Sequence, residues 1–204
     1  MPCRRGGFSL VEMMIVIAIT AILLALGIPS FTAYLANLKV RTTAEGFLSG
    51  LQLARADAVR RNARVEFILT ILAPTVDNLA TDTADLTDPA FADDIDLPPN
   101  HPNWMIRTAD TSAFIEGKSA AEGSSSAQSG RSPVEVRGSV SSITFNGLGN
   151  TDLLDTATFQ FTNNAAGDCV ADGGPVRCLN VMVATGGRIK LCDPAVPAGD
   201  TRGC

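Results

Sequence analysis

Gly7-Phe8-Ser9-Leu10-Val11-Glu12-Met13-Met14-Ile15-Val16-Ile17-Ala18-Ile19 stands near the start of this 204-residue chain, and its reading decides the architecture. The apolar run continues to Ile28, and from Phe8 to Ile28 the one charged residue is Glu12. A helix over that stretch is about 31 Å long at ~1.5 Å per residue, enough to cross the hydrocarbon core of a bilayer. Arg4 and Arg5 precede it, so the positive-inside rule puts residues 1–7 in the cytoplasm and everything after the span outside. A cleaved secretory signal would carry small residues after its apolar run. Here the sequence continues Gly27-Ile28-Pro29-Ser30-Phe31, and the small pair Gly6-Gly7 comes before the run instead. The span is expected to stay in the mature chain.

Glu12 is out of place in such a segment. An ionised carboxylate at the bilayer centre costs about 2.5–3.5 kcal/mol on insertion scales, so it calls for a partner. Either it sits at the interface and snorkels, or it pairs with a positive charge from another chain. A chain cut after Gly7 supplies that charge as the new α-amino group of Phe8.

Beyond Pro29 the apolar pattern turns periodic. Val40, Ala44, Phe47, Leu48, Leu51, Ala54 and Ala58 fall on one face of a helix, which must lie against something. Pro29 removes a helical hydrogen bond and, with Gly27, marks a kink or a locally melted turn. Arg55, Arg60 and Arg61 gather where cations suit a helix C-terminus, and Asn62 is a fitting stop. The helix is therefore expected from about Phe8 to Asn62, its second half covered by a sheet. Strands are expected at Val65–Leu72, Trp104–Thr108, Val134–Arg137, Ser142–Asn146, Ala157–Thr162, Leu179–Ala184 and Arg188–Cys192. Gly147-Leu148-Gly149-Asn150 and Gly186-Gly187 read as turns, the second joining the last two strands in a tight hairpin. A helix followed by antiparallel strands is an α+β domain.

Composition removes several function classes. Apolar residues make up 46% and charged residues 18%, a globular balance, and a net charge of −5 excludes a basic coat over the whole surface. His101 is the one histidine and sits in an acidic, Pro-rich loop, so no catalytic constellation forms: the chain reads as a non-enzyme with no metal and no cofactor. Pro74 to Pro102 holds Asp77, Asp82, Asp85, Asp88, Asp93, Asp94 and Asp96 without a Lys or Arg. Asp oxygens suit calcium, but the Asp-x-Asp-x-Asp-Gly cadence is missing, and the stretch reads as a solvated acidic loop. Gly123 to Gly130 is a Ser-rich flexible loop, and Trp104 is expected in the core. Cys3 precedes Gly7, which leaves Cys169, Cys178, Cys192 and Cys204, an even number suited to two disulfides in an oxidising periplasm. Three connectivities exist. The local one, Cys169–Cys178 across the Asp172-Gly173-Gly174-Pro175 turn and Cys192–Cys204 at the tail, is favoured, and the wide gaps between the cysteines do not suit a four-thiolate metal site.

The opening motif resembles the class III signal of type IV pilins and pseudopilins: a short basic leader ending in Gly7, then Phe8, then Glu12. Leu51-Gln52-Leu53-Ala54-Arg55-Ala56-Asp57-Ala58-Val59-Arg60-Arg61-Asn62 and Gly187-Arg188-Ile189-Lys190-Leu191-Cys192-Asp193-Pro194 resemble the FimT/GspH group of minor pilins and pseudopilins. The resemblance covers residues 6–72 and 140–204. It implies a pilin lollipop, a long N-terminal helix packed on an antiparallel β-sheet head. Residues 1–7 would be a leader removed by prepilin peptidase, with the amine of Phe8 methylated. Residues 8–35 would be the membrane-spanning and filament-core half of the helix, and residues 36–204 the periplasmic head. Glu12 would neutralise the amine of a neighbouring subunit during assembly. The implied partners are other pilin or pseudopilin subunits, the peptidase and the inner membrane. The implied role is a minor pilin in pilus assembly or at the pilus tip, or alternatively a GspH-like pseudopilin of a type II secretion system.

The resemblance also makes double-stranded DNA a candidate partner. In FimT-type minor pilins a Gly-Arg-x-Arg element is associated with DNA binding, and Gly187-Arg188-Ile189-Lys190 is similar to it, with Lys190 replacing the second Arg. Strand alternation puts Arg188 and Lys190 on one face, about 7 Å apart, where they suit neighbouring backbone phosphates. Arg177 and Arg202 would widen the patch if the disulfides bring them near. The competing reading is a solvated hairpin face whose cations guard a sheet edge.

Overall fold

Val40, Ala44, Phe47, Leu51, Ala54 and Ala58 are all fully buried along one stripe of a single helix, α1 (Leu10–Arg61). This computed structural model describes residues 9–70, 74–76, 95–96, 103–119, 134–197 and 199–204, without the side chains of residues 25–30, 95–96 and 164. The expectations for Gly7, Phe8, His101, the Asp-rich side chains and the Ser-rich loop lie outside the described residues. Ser9 caps α1, its Oγ accepting the Glu12 N–H at 3.2 Å. Asn62 ends it in the left-handed region (φ 48, ψ 42), its N–H donating to the carbonyls of Ala58 and Val59. The helix runs through Gly27 and Pro29 without a break, which corrects the locally melted turn. A proline withholds one N–H but leaves the neighbouring rungs of the helix in place.

Among the described residues nine strands follow: β1 (Val65–Thr70), β2 (Ile95–Asp96), β3 (Asn103–Thr108), β4 (Phe114–Lys118), β5 (Glu135–Gly138), β6 (Ser142–Phe145), β7 (Ala157–Thr162), β8 (Leu179–Val183) and β9 (Ile189–Cys192). They form two antiparallel sheets, β4-β3-β1-β6 and β2-β5-β7-β8-β9, where the sequence suggested one. Alternation within β7 and β8 buries Ala157, Phe159, Phe161, Val181 and Val183 against α1 and turns Met182 and Asn180 outward. Phe47 of α1 joins the two sheets: its ring lies 4.9 Å from that of Phe67 on β1 and 4.9 and 5.2 Å from those of Phe159 and Phe161 on β7. Burying such rings contributes about 1.5–3 kcal/mol apiece, so this cluster anchors helix to head. Trp104 stacks on Phe67 at 5.4 Å, and Gly50 lies beneath it because a Cβ there would come 2.8 Å from the indole.

Candidate assembly helix and anion-binding turn

The two halves of α1 differ in what covers them. Leu10 through Leu24 are exposed to solvent, Leu10 at 76% and Ile17 at 64%, and among the described side chains the first buried residue of the helix is Ala36. Among the described residues no helix is long and apolar enough to cross a membrane; the side chains of residues 25–30, part of the apolar run, are not described. Glu12 is exposed, and its carboxylate makes no ion pair among the described residues. Its backbone N–H is held by Ser9, so the carboxylate occupies the first turn, where a negative charge suits the helix dipole. Ser9-x-x-Glu12 is a capping-box spacing that the sequence reading passed over, and it starts the helix within two residues of Phe8.

At the far end of the head, the turn from β8 to β9 closes through Ala184 N–H to Arg188 O (2.9 Å) and Gly187 N–H to Ala184 O (2.8 Å). Thr151 fastens it from below: its N–H and its hydroxyl both donate to the carbonyl of Thr185, at 3.0 Å each. Gly187 has φ +74 and is buried against Gly149, whose carbonyl oxygen a Cβ on Gly187 would overlap. No other residue type fits both conditions. The same carbonyl accepts from Arg55 Nε of α1 at 3.1 Å. The place of Arg55 in the sequence suggests a cation for the helix terminus, whereas the fold brings it against the carbonyl of Gly149, 94 residues away in sequence.

Arg188 is exposed and immediately precedes β9 rather than opening it. It lines a cavity of about 120 Å³ with Lys190, Thr156, Met182, Ala184 and Cys204, so the two cations share the outer face of the hairpin. Lys190 is half-buried, its Nζ donating to the Gly203 carbonyl at 2.6 Å. Arg177 and Arg202 do not widen this patch. They line a separate groove of about 560 Å³ with Tyr34, Leu38 and Arg41 of α1. Arg177 is paired with Asp193 at 2.6 Å, and Arg202 with Asp200 at 2.8 Å. Hydrogen bonds from the Arg202 side chain and backbone hold the Asp200 carboxyl down at about 2, and Asp200 in turn raises Arg202.

The disulfides join Cys169 to Cys178 (Cα–Cα 5.4 Å) and Cys192 to Cys204 (Cα–Cα 5.1 Å), the local arrangement of the three. The first closes a turn around Gly173 in which the Val170 N–H donates to the Val176 carbonyl at 2.7 Å and the Val176 N–H donates to the Asp168 carbonyl at 3.1 Å. The second brings the tail over β9, where Asp193 N–H donates to Arg202 O at 2.8 Å. At the end of α1, Asp57 is buried and accepts from Arg60 and Arg61. Burial pushes its carboxyl up, but the hydrogen bonds and charges of the two arginines together outweigh that and leave it below the ordinary 3.8.

Two family descriptions match the chain. Residues 2–28 match the prokaryotic N-terminal methylation motif, and residues 43–187 match the type II transport protein GspH. Among solved structures, the type IV minor pilin FimU of Pseudomonas aeruginosa (strain PAO1) is similar at 16% identity in two crystal forms. The form in space group P65 has a TM-score of 0.46 over 78% of this chain and 94% of that one. The form in P21 has 0.48 over 79% and 90%. No curated protein matches. The GspH match begins on the buried half of α1 and ends at Gly187, so Arg188 and Lys190 stand just past it. Because it spans more than two thirds of the chain and the methylation motif precedes it, the chain belongs to the GspH family of type IV minor pilins and pseudopilins.

Proposed function

We propose that this chain is a minor pilin that takes part in assembling a type IV pilus or sits at its tip, and that its β8–β9 turn captures double-stranded DNA for uptake. Prepilin peptidase cuts after Gly7 and the amine of Phe8 is methylated. Before assembly the inner membrane holds residues 8–35, with the head, residues 36–204, in the periplasm. The exposed apolar face from Leu10 to Leu24 supports a helix whose covering comes from lipid first and from neighbouring subunits afterwards. Glu12, without an ion pair among the described residues, then meets the amine of a neighbour.

The observation that carries the DNA reading is the sharing of one cavity by Arg188 and Lys190 beside a turn tip of small, exposed residues, Thr185 and Gly186. Phosphate oxygens suit both cations, and the narrow tip lets a duplex approach. The test is fluorescence anisotropy of a labelled duplex with the full chain in detergent, wild type against Arg188→Ala/Lys190→Ala. The expected result is sequence-independent binding that weakens steeply with salt and drops in the double variant. No binding by the wild type at low salt, or equal binding by the variant, overturns it.

The name of the matching family, type II transport protein GspH, favours a second reading, a pseudopilin of a type II secretion system. Deleting the gene separates the two. Lost DNA uptake with secretion intact supports the pilus, and the converse supports secretion.

A further inference from the structure

We infer that Arg55 is a third phosphate contact, gripping the DNA backbone from the helix side of the β8–β9 turn while Arg188 and Lys190 hold it from the outer face. This rests on the DNA reading above and extends it to a residue on a different element. Arg55 is exposed, and the one hydrogen bond of its side chain among the described residues is the Nε donation to Gly149 O at 3.1 Å. That bond leaves both terminal nitrogens of the guanidinium open. These form the planar fork that matches two oxygens of one phosphate. Its cationic neighbours at this end of α1 are already committed: Arg60 and Arg61 to Asp57, and Arg64 to Asp110 at 3.0 Å. Arg55 has no carboxylate partner among the described residues.

Its position is fixed by the turn itself. Nε lies 3.3 Å from where a Cβ on Gly187 would stand, and Gly187 precedes Arg188 directly. Val181 and Val183 of β8 face the helix, whereas Met182 and Ala184 line the cavity with Arg188 and Lys190. The cations therefore flank the turn from its two sides. Between them Gly186 projects into open space, with no atom within 4 Å of a Cβ built there. A duplex laid across this tip offers phosphates along its whole length and can meet a cation on each flank. Holding the guanidinium by Nε before the ligand arrives also lowers the ordering cost of that contact.

The experiment uses the full chain in detergent and a labelled duplex, titrated over a range of salt. Arg55→Gln keeps an amide N–H for Gly149 but removes the charge. It should bind several-fold more weakly, with the slope of log affinity against log salt reduced by about one. Arg55→Lys, which keeps the charge, should retain the slope. A second measurement needs no variant: phenylglyoxal modification of the wild-type chain followed by peptide mapping should show Arg55 protected by DNA. An unchanged affinity and slope in Arg55→Gln, or equal modification of Arg55 with and without DNA, overturns the inference. If in that case Arg188→Ala/Lys190→Ala still loses binding, the DNA reading stands without Arg55. If the wild type fails to bind duplex at low salt, the DNA reading and this inference fall together.

Discussion

The ammonium of Lys190 rests 2.6 Å from the carbonyl oxygen of Gly203, so one of the two outer cations is aimed by the last residues of the chain. Cys204, the next residue, is bonded to Cys192, two positions beyond Lys190 on β9. The disulfide, the carbonyl and the ammonium form one local clasp.

Opening that clasp should be measurable. The Cys192–Cys204 bridge spans a sequence separation of 12. In the chain-entropy picture closing such a loop stabilises by about 2–4 kcal/mol. Cys192→Ser/Cys204→Ser should lower the melting temperature by several degrees, and Lys190 should become more readily acetylated in the oxidised buffer where the wild type is protected. A variant melting with the wild type would show that the tail is held by its backbone bonds alone.

Gly187→Ala should be among the most damaging single-methyl changes in the head. The residue has φ +74, and its Cβ would overlap the Gly149 carbonyl that also accepts from Arg55. Backbone strain of this kind costs about 1–3 kcal/mol before the overlap is counted. Arg188→Ala, at an exposed neighbour, should leave the melting temperature within about 0.5 kcal/mol equivalent of the wild type. Thermal denaturation of the two variants side by side tests the contrast.

Glu12→Gln bears on assembly. Removing a charge from an apolar helix should leave membrane insertion intact or improved. Incorporation into filaments should fall, because the amine of the neighbouring Phe8 loses its counter-charge. Quantifying the variant in sheared filaments against the membrane fraction measures both. Normal incorporation would mean that the carboxylate is only tolerated.

Asp57 gives the head an acid-sensitive joint. Its folded carboxyl titrates below the ordinary 3.8, so its contribution is present above that pH and is lost as pH falls through the folded value. Asp57→Asn should therefore destabilise at neutral pH by about 1.5 kcal/mol, the low end of the scale for hydrogen bonds to charged groups, because Arg60 and Arg61 are largely exposed. The gap from the wild type should close below about pH 4. Urea denaturation across pH checks the sign, and a gap that widens in acid would contradict it.

Much of the fold is legible in local patterns. The stripe from Val40 to Ala58 repeats at helical spacing, and Asn62 tolerates the left-handed conformation that stops α1. Seven strands are rich enough in β-branched and aromatic residues to stand out. β4 does not, because Phe114-Ile115-Glu116-Gly117-Lys118 carries a glycine in its interior, kept there by contact with Pro74 and the Trp104 carbonyl. β2 has two residues and no periodicity to read. The division into two sheets depends on pairings such as Phe67 with Ile106 and with Ile143, which no local window contains. Arg55 shows the same limit at the candidate site: its neighbours in sequence suggest a helix terminus, and its partner Gly149 lies far along the chain.

Phe47 also bears on mechanics. In the assembly proposed above, a subunit held by its exposed helix between Leu10 and Leu24 takes tension along α1, and the head hangs from that rod through side-chain packing on Phe47 and its stripe. Pulling then loads the apolar seam that Phe47 shares with two sheets. Tension diminishes toward the free end of the rod, where Arg55 meets Gly149. The turn bearing Arg188 is thus moored where the rod is slackest, and it can keep its shape while the filament behind it is under strain.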